Sequence, residues 1–377
     1  MPKTLPTLSD LPDVRGKYVL VRAGLNVPLL NGVVSNEFRI VRALPTINVL
    51  RASGARVIVA AHIGRKATGT LQPVHTALSA HIPVTWAGGL VGEAVTQARN
   101  AMQDGEVLLL ENVRSDEREK ANDGRFAAEL ATLADYYVND AFSASHREHA
   151  SLCAVATLLP AVFGRNFMHE YVELEKARMP HAPSLFILGG AKFETKMPLV
   201  ELFVEHYDHV FVGGALANDF FKARGLEVGA SLVSDVDLSD SPLLTNPKII
   251  TPVDVVVTKG DVRRVCTPEE VAGDESIMDA GPATIALLEK YATPAKTILW
   301  NGPLGNFEAG YGEYTVALAR VIAASSAYAI VGGGDTIAAI EGLDCQEKFG
   351  FMSTAGGAML TFLETGTLPA IEAVVGE

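Results

Sequence analysis

Short β-branched runs alternate with helix-period stretches along the whole chain, and this alternation constrains the fold more than any other feature. The runs Tyr18–Arg22, Arg56–Ala61, Glu106–Glu111, Tyr136–Asn139, Ser184–Leu188, His209–Val212, Lys248–Ile250, Thr297–Trp300 and Ala327–Val331 read as strands. The stretches Asn36–Ala52, Leu90–Met102, Arg125–Leu133, Thr195–Val204, Leu216–Ala223, Ala283–Tyr291 and Tyr314–Ala323 read as helices. Alternation of this kind builds βαβ units, so the chain is expected to be an α/β protein with parallel sheets covered on both faces. A chain of 377 residues exceeds what one hydrophobic core holds, which predicts two domains. Asn166–Arg178 contains neither Gly nor Pro and is followed by the break MPHAP. It reads as a helix joining two domains of similar size, with residues 1–165 before it, the joint over 166–180, and a second domain from 181.

Polar, glycine-bearing segments follow the strands almost every time. HIGR (62–65), ENVR (111–114), NDAFS (139–143), GGAK (189–192), GGAL (213–216), NGPLGNFE (301–308) and GGGDT (332–336) all do so. Open α/β sheets bind ligands beyond the carboxyl ends of their strands, so each half is expected to present one loop-built site.

Bulk properties remove several classes of function. A net charge of −13 disfavours nucleic acid as a partner. No apolar run approaches the ~20 residues a membrane helix needs. The opening MPKTLPTLSDLPDVRGK has no apolar core of a secretory signal. Cys153, Cys266 and Cys345 form no C-x-x-C pair, which argues for a reducing cytoplasm and against a structural zinc site. Residues 1–165 hold 17 Lys+Arg against 15 Asp+Glu, whereas the remainder holds 14 against 29. Either the halves bind different ligands, or solubility charge landed on one of them.

In the first half the strand-end loops supply cations: Arg22, Arg39, His62, Arg65, Arg114 and Arg147, with Asn26 beside them. Guanidinium forks match carboxylate and phosphate oxygens, so several converging would hold a small polyanion, although each alone is also compatible with a solvated surface residue. His146 and His149 suggest anion contacts or caps over metal, because no cysteine or acidic cluster accompanies them.

In the second half, GGAKFETK places two glycines before Lys192 and Lys196. A helix beginning near Lys192 would put both lysines on one face, within reach of a phosphate chain; the alternative is a tight turn followed by exposed lysines. In GGGDT, Asp335 suits either a Mg²⁺ carried by a nucleotide or a helix N-cap. STAGGA (353–358) offers a further glycine turn opening a helix. There is no G-x-x-x-x-G-K-[ST] and no G-x-G-x-x-G, which disfavours a Walker-type ATPase and a dehydrogenase.

Together, VRAGLNVP (21–28), HIGR, LLLENVR, YVNDAFSASHREHAS, LGGAKFETK, WNGPLGNFE and VGGGDT, in that order, resemble the phosphoglycerate kinase family over nearly the whole chain. The resemblance implies two Rossmann-like three-layer α/β domains with parallel sheets joined by an interdomain helix. It implies a phosphoglycerate-binding first domain, a nucleotide-binding second domain over 181–364, and a final segment over 365–377 returning to the first. It places 3-phosphoglycerate against Gly24, Leu25, Asn26, Arg39, His62, Ile63, Gly64, Arg65, Arg114 and Arg147. ATP or ADP would meet Gly190, Lys196, Gly213, Gly214 and Asn301, then Gly333, Gly334, Asp335 and Thr336, with Glu308 at the ribose. Asp335 would hold Mg²⁺. Arg39, Lys192 and the N–H groups of Gly356 and Gly357 would surround the phosphoryl group in transfer. A monomer in the cytoplasm is implied as well.

The acceptor would be a carboxylate, already ionised at neutral pH, which accounts for a site offering cations and no general base. With substrates on separate domains, closure is expected to exclude water. The sequence also departs from the family pattern. Where the family has V-R-x-D-F-N, this chain has Gly24 and Leu25, losing an Asp that accepts the substrate hydroxyl. Its late triple glycine is Ala355-Gly356-Gly357, and the Lys of D-x-G-P-K is Ala283. Gly24 keeps open a kinase of this fold acting on a related phosphorylated acid; a nucleotide-binding regulatory protein without turnover is a further alternative.

Overall fold

The computed structural model describes residues 4–376. It contains two compact units: one runs to Val172 and takes in the residues from Thr367 on, and the other spans Glu173–Gly366. Each is built on a six-stranded, wholly parallel sheet.

In the first unit the strand order is Thr85–Trp86, Val107–Leu109, Arg56–Ala60, Tyr18–Ala23, Tyr136–Asp140, Ala161–Phe163. Successive side chains of a strand face opposite ways, and both faces of this sheet are covered. Val19 and Val21 therefore pack with Ile40, Ala43 and Ile47 of helix Phe38–Ala52, while Leu20 packs with Ile58, Phe126 and Leu130 on the other side. The second unit repeats the plan in the order Ile249–Ile250, His209–Val212, Ser184–Leu188, Thr297–Asn301, Tyr328–Gly332, Phe351–Ser353.

Several features depart from the sequence-based expectation. Thr85–Trp86, Ala161–Phe163 and Phe351–Ser353 are edge strands of two or three residues, too short to carry a periodic pattern. A third sheet is antiparallel, in the order Val262–Cys266, Val255–Lys259, Ser276–Ala280. Its first two strands are neighbours because Gly260, at φ +57°, closes a tight turn between them. A two-residue ladder also joins Leu29–Leu30 to Val33–Val34.

The helix Arg165–Arg178 carries the chain across the boundary between the units, starting one residue earlier than expected. Its first turn is tied down by Asp140, whose Oδ1 accepts the Phe167 N–H at 3.0 Å, and by Thr46, whose hydroxyl oxygen accepts the Arg165 N–H at 2.8 Å. The last helix, Pro369–Val375, belongs to the first unit: Ala370 is buried with Leu152 and Cys153, and its N–H donates to the Ser145 carbonyl at 3.2 Å. Among the described residues no single helix is long and apolar enough to cross a membrane.

Candidate active site

Because each main sheet is parallel, its strand-to-loop exits lie along one edge. In the first unit the exits after Ala23, Ala60, Leu109 and Asp140 bring the predicted cations together. Asn26 Oδ1 accepts the Gly64 N–H at 2.8 Å, pinning the HIGR turn. Arg114, 7% exposed, donates from Nη1 to the Gly64 carbonyl. His62 is buried against Arg22, whose Nη2 stands 2.8 Å from His62 Nδ1.

Positive charge accumulates here without enough acid to balance it. Burial, then Arg147 and Arg22, pull Arg114 down to about 10. Burial, then Arg22, Arg114 and Arg147, depress His62 far below the usual histidine value; burial with Arg147 and Arg114 holds His146 near 4, and burial with Arg114, Arg22 and Arg147 holds His149 there. Arg147, half-buried, is lowered by burial and by Arg65. The buried Arg114 Nε and His146 Nδ1 have no hydrogen-bond partner. Like charges gathered with donors to spare are the arrangement an oligoanion satisfies. Arg39 stands half-buried in the first turn of helix Phe38–Ala52, lowered by burial, with Glu170 as its electrostatic partner. Leu25 and Ile63, also placed at the site by the sequence, are buried in the core, 0% and 4% exposed.

In the second unit the loops after Leu188, Val212, Asn301 and Gly332 interlock through glycine. A Cβ on Gly214, at φ +60°, would fall 2.4 Å from the Gly190 nitrogen, and one on Gly302 would fall 2.4 Å from the Gly189 carbonyl oxygen. The Gly302 N–H donates to Thr336 Oγ1 at 3.0 Å. Gly333, at φ +100°, precedes helix Gly334–Glu341, leaving Asp335 exposed in its first turn. Gly356, at φ +56°, does the same for helix Gly357–Thr365. Gly213 is required by packing, since a Cβ there would meet the Phe211 ring at 2.7 Å. Asn301 is buried, with Nδ2 turned to Met359 Sδ at 3.8 Å. Glu308 stands exposed on the turn Phe307–Ala309.

The two lysines do not share a helical face. Helix Phe193–His206 starts after Lys192, which sits at its N-cap with φ −95°, ψ 80° and an exposed side chain. Lys196 is buried and donates to the Gly189 carbonyl. Gly302, which interlocks with Gly189, was not singled out from the sequence; the NGPLG motif was its available signal.

Burial, then Lys192, pull Lys196 from 10.5 down to about 8, with Asp335 opposing. Between those values the unfolded chain binds more protons than the folded one, so this group's contribution to stability rises with pH across that window. A phosphate chain favours the charged amine. A phosphate chain placed beside Lys196 would therefore draw up to about half a proton near pH 8, seen as a dependence of calorimetric enthalpy on buffer ionisation heat and absent in Lys196→Met. Binding without proton uptake would separate Lys196 from the phosphates.

A family model described as phosphoglycerate kinase matches residues 8–366. The chain is 40% identical over 395 residues to the phosphoglycerate kinase of Azorhizobium caulinodans, covering 98% of this chain and 100% of that one. It is 41% identical over 392 residues to that of Zymomonas mobilis, covering 98% of each. Among solved structures, the phosphoglycerate kinase from Coxiella burnetii matches with TM-score 0.87 and 36% identity over 99% of both chains. That from Pyrococcus horikoshii matches with TM-score 0.85 and 30% identity over 98% of both. Two parallel α/β units, one rich in unbalanced arginine and the other in interlocked glycine loops, thus agree with sequence and structural likeness alike: the chain belongs to the phosphoglycerate kinase family, whose members move a phosphoryl group reversibly between ATP and the carboxylate of 3-phosphoglycerate.

Proposed function

We propose that the first unit binds 3-phosphoglycerate through Asn26, His62, Arg65, Arg114 and Arg147, with Arg39 as a further cation for it, and that the second binds the nucleotide. The observation that carries the first assignment is the surplus of buried cation around Arg114, whose Nε lacks a protein partner. For the nucleotide, the backbone at Gly190, Gly214, Gly333 and Gly334 can approach phosphates closely, with Lys196 beside them and Glu308 toward the ribose. Lys192 and the N-terminal amides of helix Gly357–Thr365 face the phosphoryl group being transferred, supplying fixed positive charge to its equatorial oxygens.

The residues present also suit Mg²⁺ brought by the nucleotide. Among the described residues no cluster of three His, Cys, Asp or Glu exists, so an ion would take one protein oxygen, from exposed Asp335, and complete its shell with phosphate and water. Such an ion neutralises phosphate charge. We further propose a monomer working in a reducing cytoplasm, consistent with three separate free thiols.

Gly24 favours a second reading, a related phosphorylated acid as substrate. A Cβ at Gly24 would meet Ala141 Cα, the Asp140 carbonyl and Ser143 Oγ at 3.8 Å, ordinary contact distances, so the pocket tolerates a side chain there. Calorimetric titration decides between the readings. Wild type should bind 3-phosphoglycerate in preference to 2-phosphoglycerate, and Gly24→Asp should tighten it about tenfold by restoring an acceptor for the hydroxyl. No binding of 3-phosphoglycerate to wild type would overturn the assignment, and weaker binding to the variant would show a pocket reorganised around glycine.

A further inference from the structure

A buried chain of hydrogen bonds lies behind His62, and the allocation above makes no use of it. Glu119 is 0% exposed. Its Oε2 accepts the Ser151 N–H at 2.9 Å and its Oε1 accepts the Ser151 hydroxyl at 2.7 Å. Ser151 Oγ accepts Arg22 Nε–H at 2.8 Å. Arg22, 1% exposed, donates from Nη1 to the Ala23 carbonyl at 2.7 Å and from Nη2 to His62 Nδ1 at 2.8 Å. His149 Nδ1 stands 3.7 Å from Glu119 Oε1.

Chemistry forces the direction of every bond in this chain. A guanidinium has five donors, no acceptor, and keeps its proton in proteins. His62 Nδ1 must therefore accept, and carries no hydrogen. The ring hydrogen sits on Nε2, and an imidazolium is excluded because it needs hydrogen on both nitrogens. The surroundings push the same way: burial first, then Arg22, Arg114, Arg147 and His149 all oppose a positive charge on His62. At the other end both Glu119 oxygens accept from Ser151; burial raises this carboxyl above its ordinary value while Arg22 and the Ser151 bonds oppose that rise, and as a carboxylate it balances Arg22 across the Ser151 hydroxyl. A buried guanidinium without such a counter-charge would be free to turn toward other acceptors.

We infer that Glu119, acting through Ser151 and Arg22, is a positioning residue that locks His62 as its Nε2–H tautomer, a neutral hydrogen-bond donor to the phosphoglycerate. The inference rests on the proposed placement of that substrate beside His62. An unlocked neutral imidazole exchanges its hydrogen between the two nitrogens and spends part of its time presenting a lone pair, which repels carboxylate and phosphate oxygens. The lock keeps a donor in place and removes the pH dependence an ordinary histidine would bring. Three sequence-distant elements are needed to build it: the end of strand Tyr18–Ala23, the turn Glu117–Glu119, and the segment around Ser151.

The test is ¹⁵N NMR of histidine-labelled full-length protein, with His62 assigned by His62→Gln, alongside initial rates. Wild type should show the Nε2–H pattern for His62, without titration between about pH 5.5 and 8. Glu119→Gln should give a tautomer-averaged signal and raise KM for 3-phosphoglycerate about tenfold, with kcat and KM for ATP nearly unchanged. Ser151→Ala breaks the same chain at a smaller site and should act alike if Glu119→Gln folds poorly. An Nδ1–H pattern, or a titrating His62, in wild type would overturn the inference without any variant. A retained Nε2–H pattern in both variants would remove Glu119 and Ser151 from the role. Averaged tautomers with unchanged KM would overturn the placement of phosphoglycerate beside His62, while leaving the lock intact.

Discussion

Replacing Lys192 by alanine is expected to lower kcat about a thousandfold while the fold survives. The side chain is exposed at the N-cap of helix Phe193–His206, and its cap position makes no side-chain hydrogen bond, so truncation removes no packing and no cap. Lys192 already depresses Lys196, and that repulsion is relieved when anionic oxygens lie between the two amines. A transferring phosphoryl group spreads its charge over equatorial oxygens, and a fixed cation there acts more on the transition state than on bound ATP. The loss should therefore appear in kcat with KM for ATP changed little. Near-normal kcat in a folded variant would remove Lys192 from the mechanism.

Arg114→Ala should weaken 3-phosphoglycerate binding about a hundredfold and leave Mg-ADP binding unchanged, as read by calorimetry on each ligand separately. Charge-assisted hydrogen bonds to a desolvated anion are worth about 1.5–3 kcal/mol each, and about 2.8 kcal/mol corresponds to that factor. Arg114 is placed to make such bonds, since its Nε is buried without a partner. Folding should lose little. The bond from Nη1 to the Gly64 carbonyl goes, but Gly64 is exposed to water, and repulsion from Arg147 and Arg22 is relieved. A cation cluster held together against its own repulsion trades stability for binding. Equal losses for both ligands would instead mean that Arg114 acts through the fold.

The sequence disclosed the parallel strands well because buried strands are continuous apolar runs. Ser184–Leu188 and His209–Val212 appear at the predicted bounds. Three of the four edge strands of the main sheets were hidden by their brevity, whereas Ile249–Ile250 appears within the expected Lys248–Ile250; Val262–Cys266 was hidden by its composition, since VRRVC exposes its first four residues and lacks an apolar face. Prolines misled little, since helices Phe38–Ala52 and Phe193–His206 run through Pro45 and Pro198. In the candidate site, motifs mark the strand-end loops without marking which of their side chains are buried. Leu25 and Ile63 sit inside motifs and yet in the core, because a strand exit alternates its side chains between loop and core. Glu119 shows the converse. In ENVRSDEREK it reads as one more solvated charge, and only the fold buries it against Ser151. Nothing local marks a residue whose partners arrive from 32 positions away.

The most direct measurement is Mg²⁺- and ATP-dependent turnover of 3-phosphoglycerate by the purified chain, followed through a coupled reductive step, with 2-phosphoglycerate and glycerate as controls. Rapid turnover of 3-phosphoglycerate alone is the predicted result, and makes Gly24 a tolerated variation. No turnover of it, with nucleotide still bound, or faster turnover of another phosphorylated acid, would contradict the account.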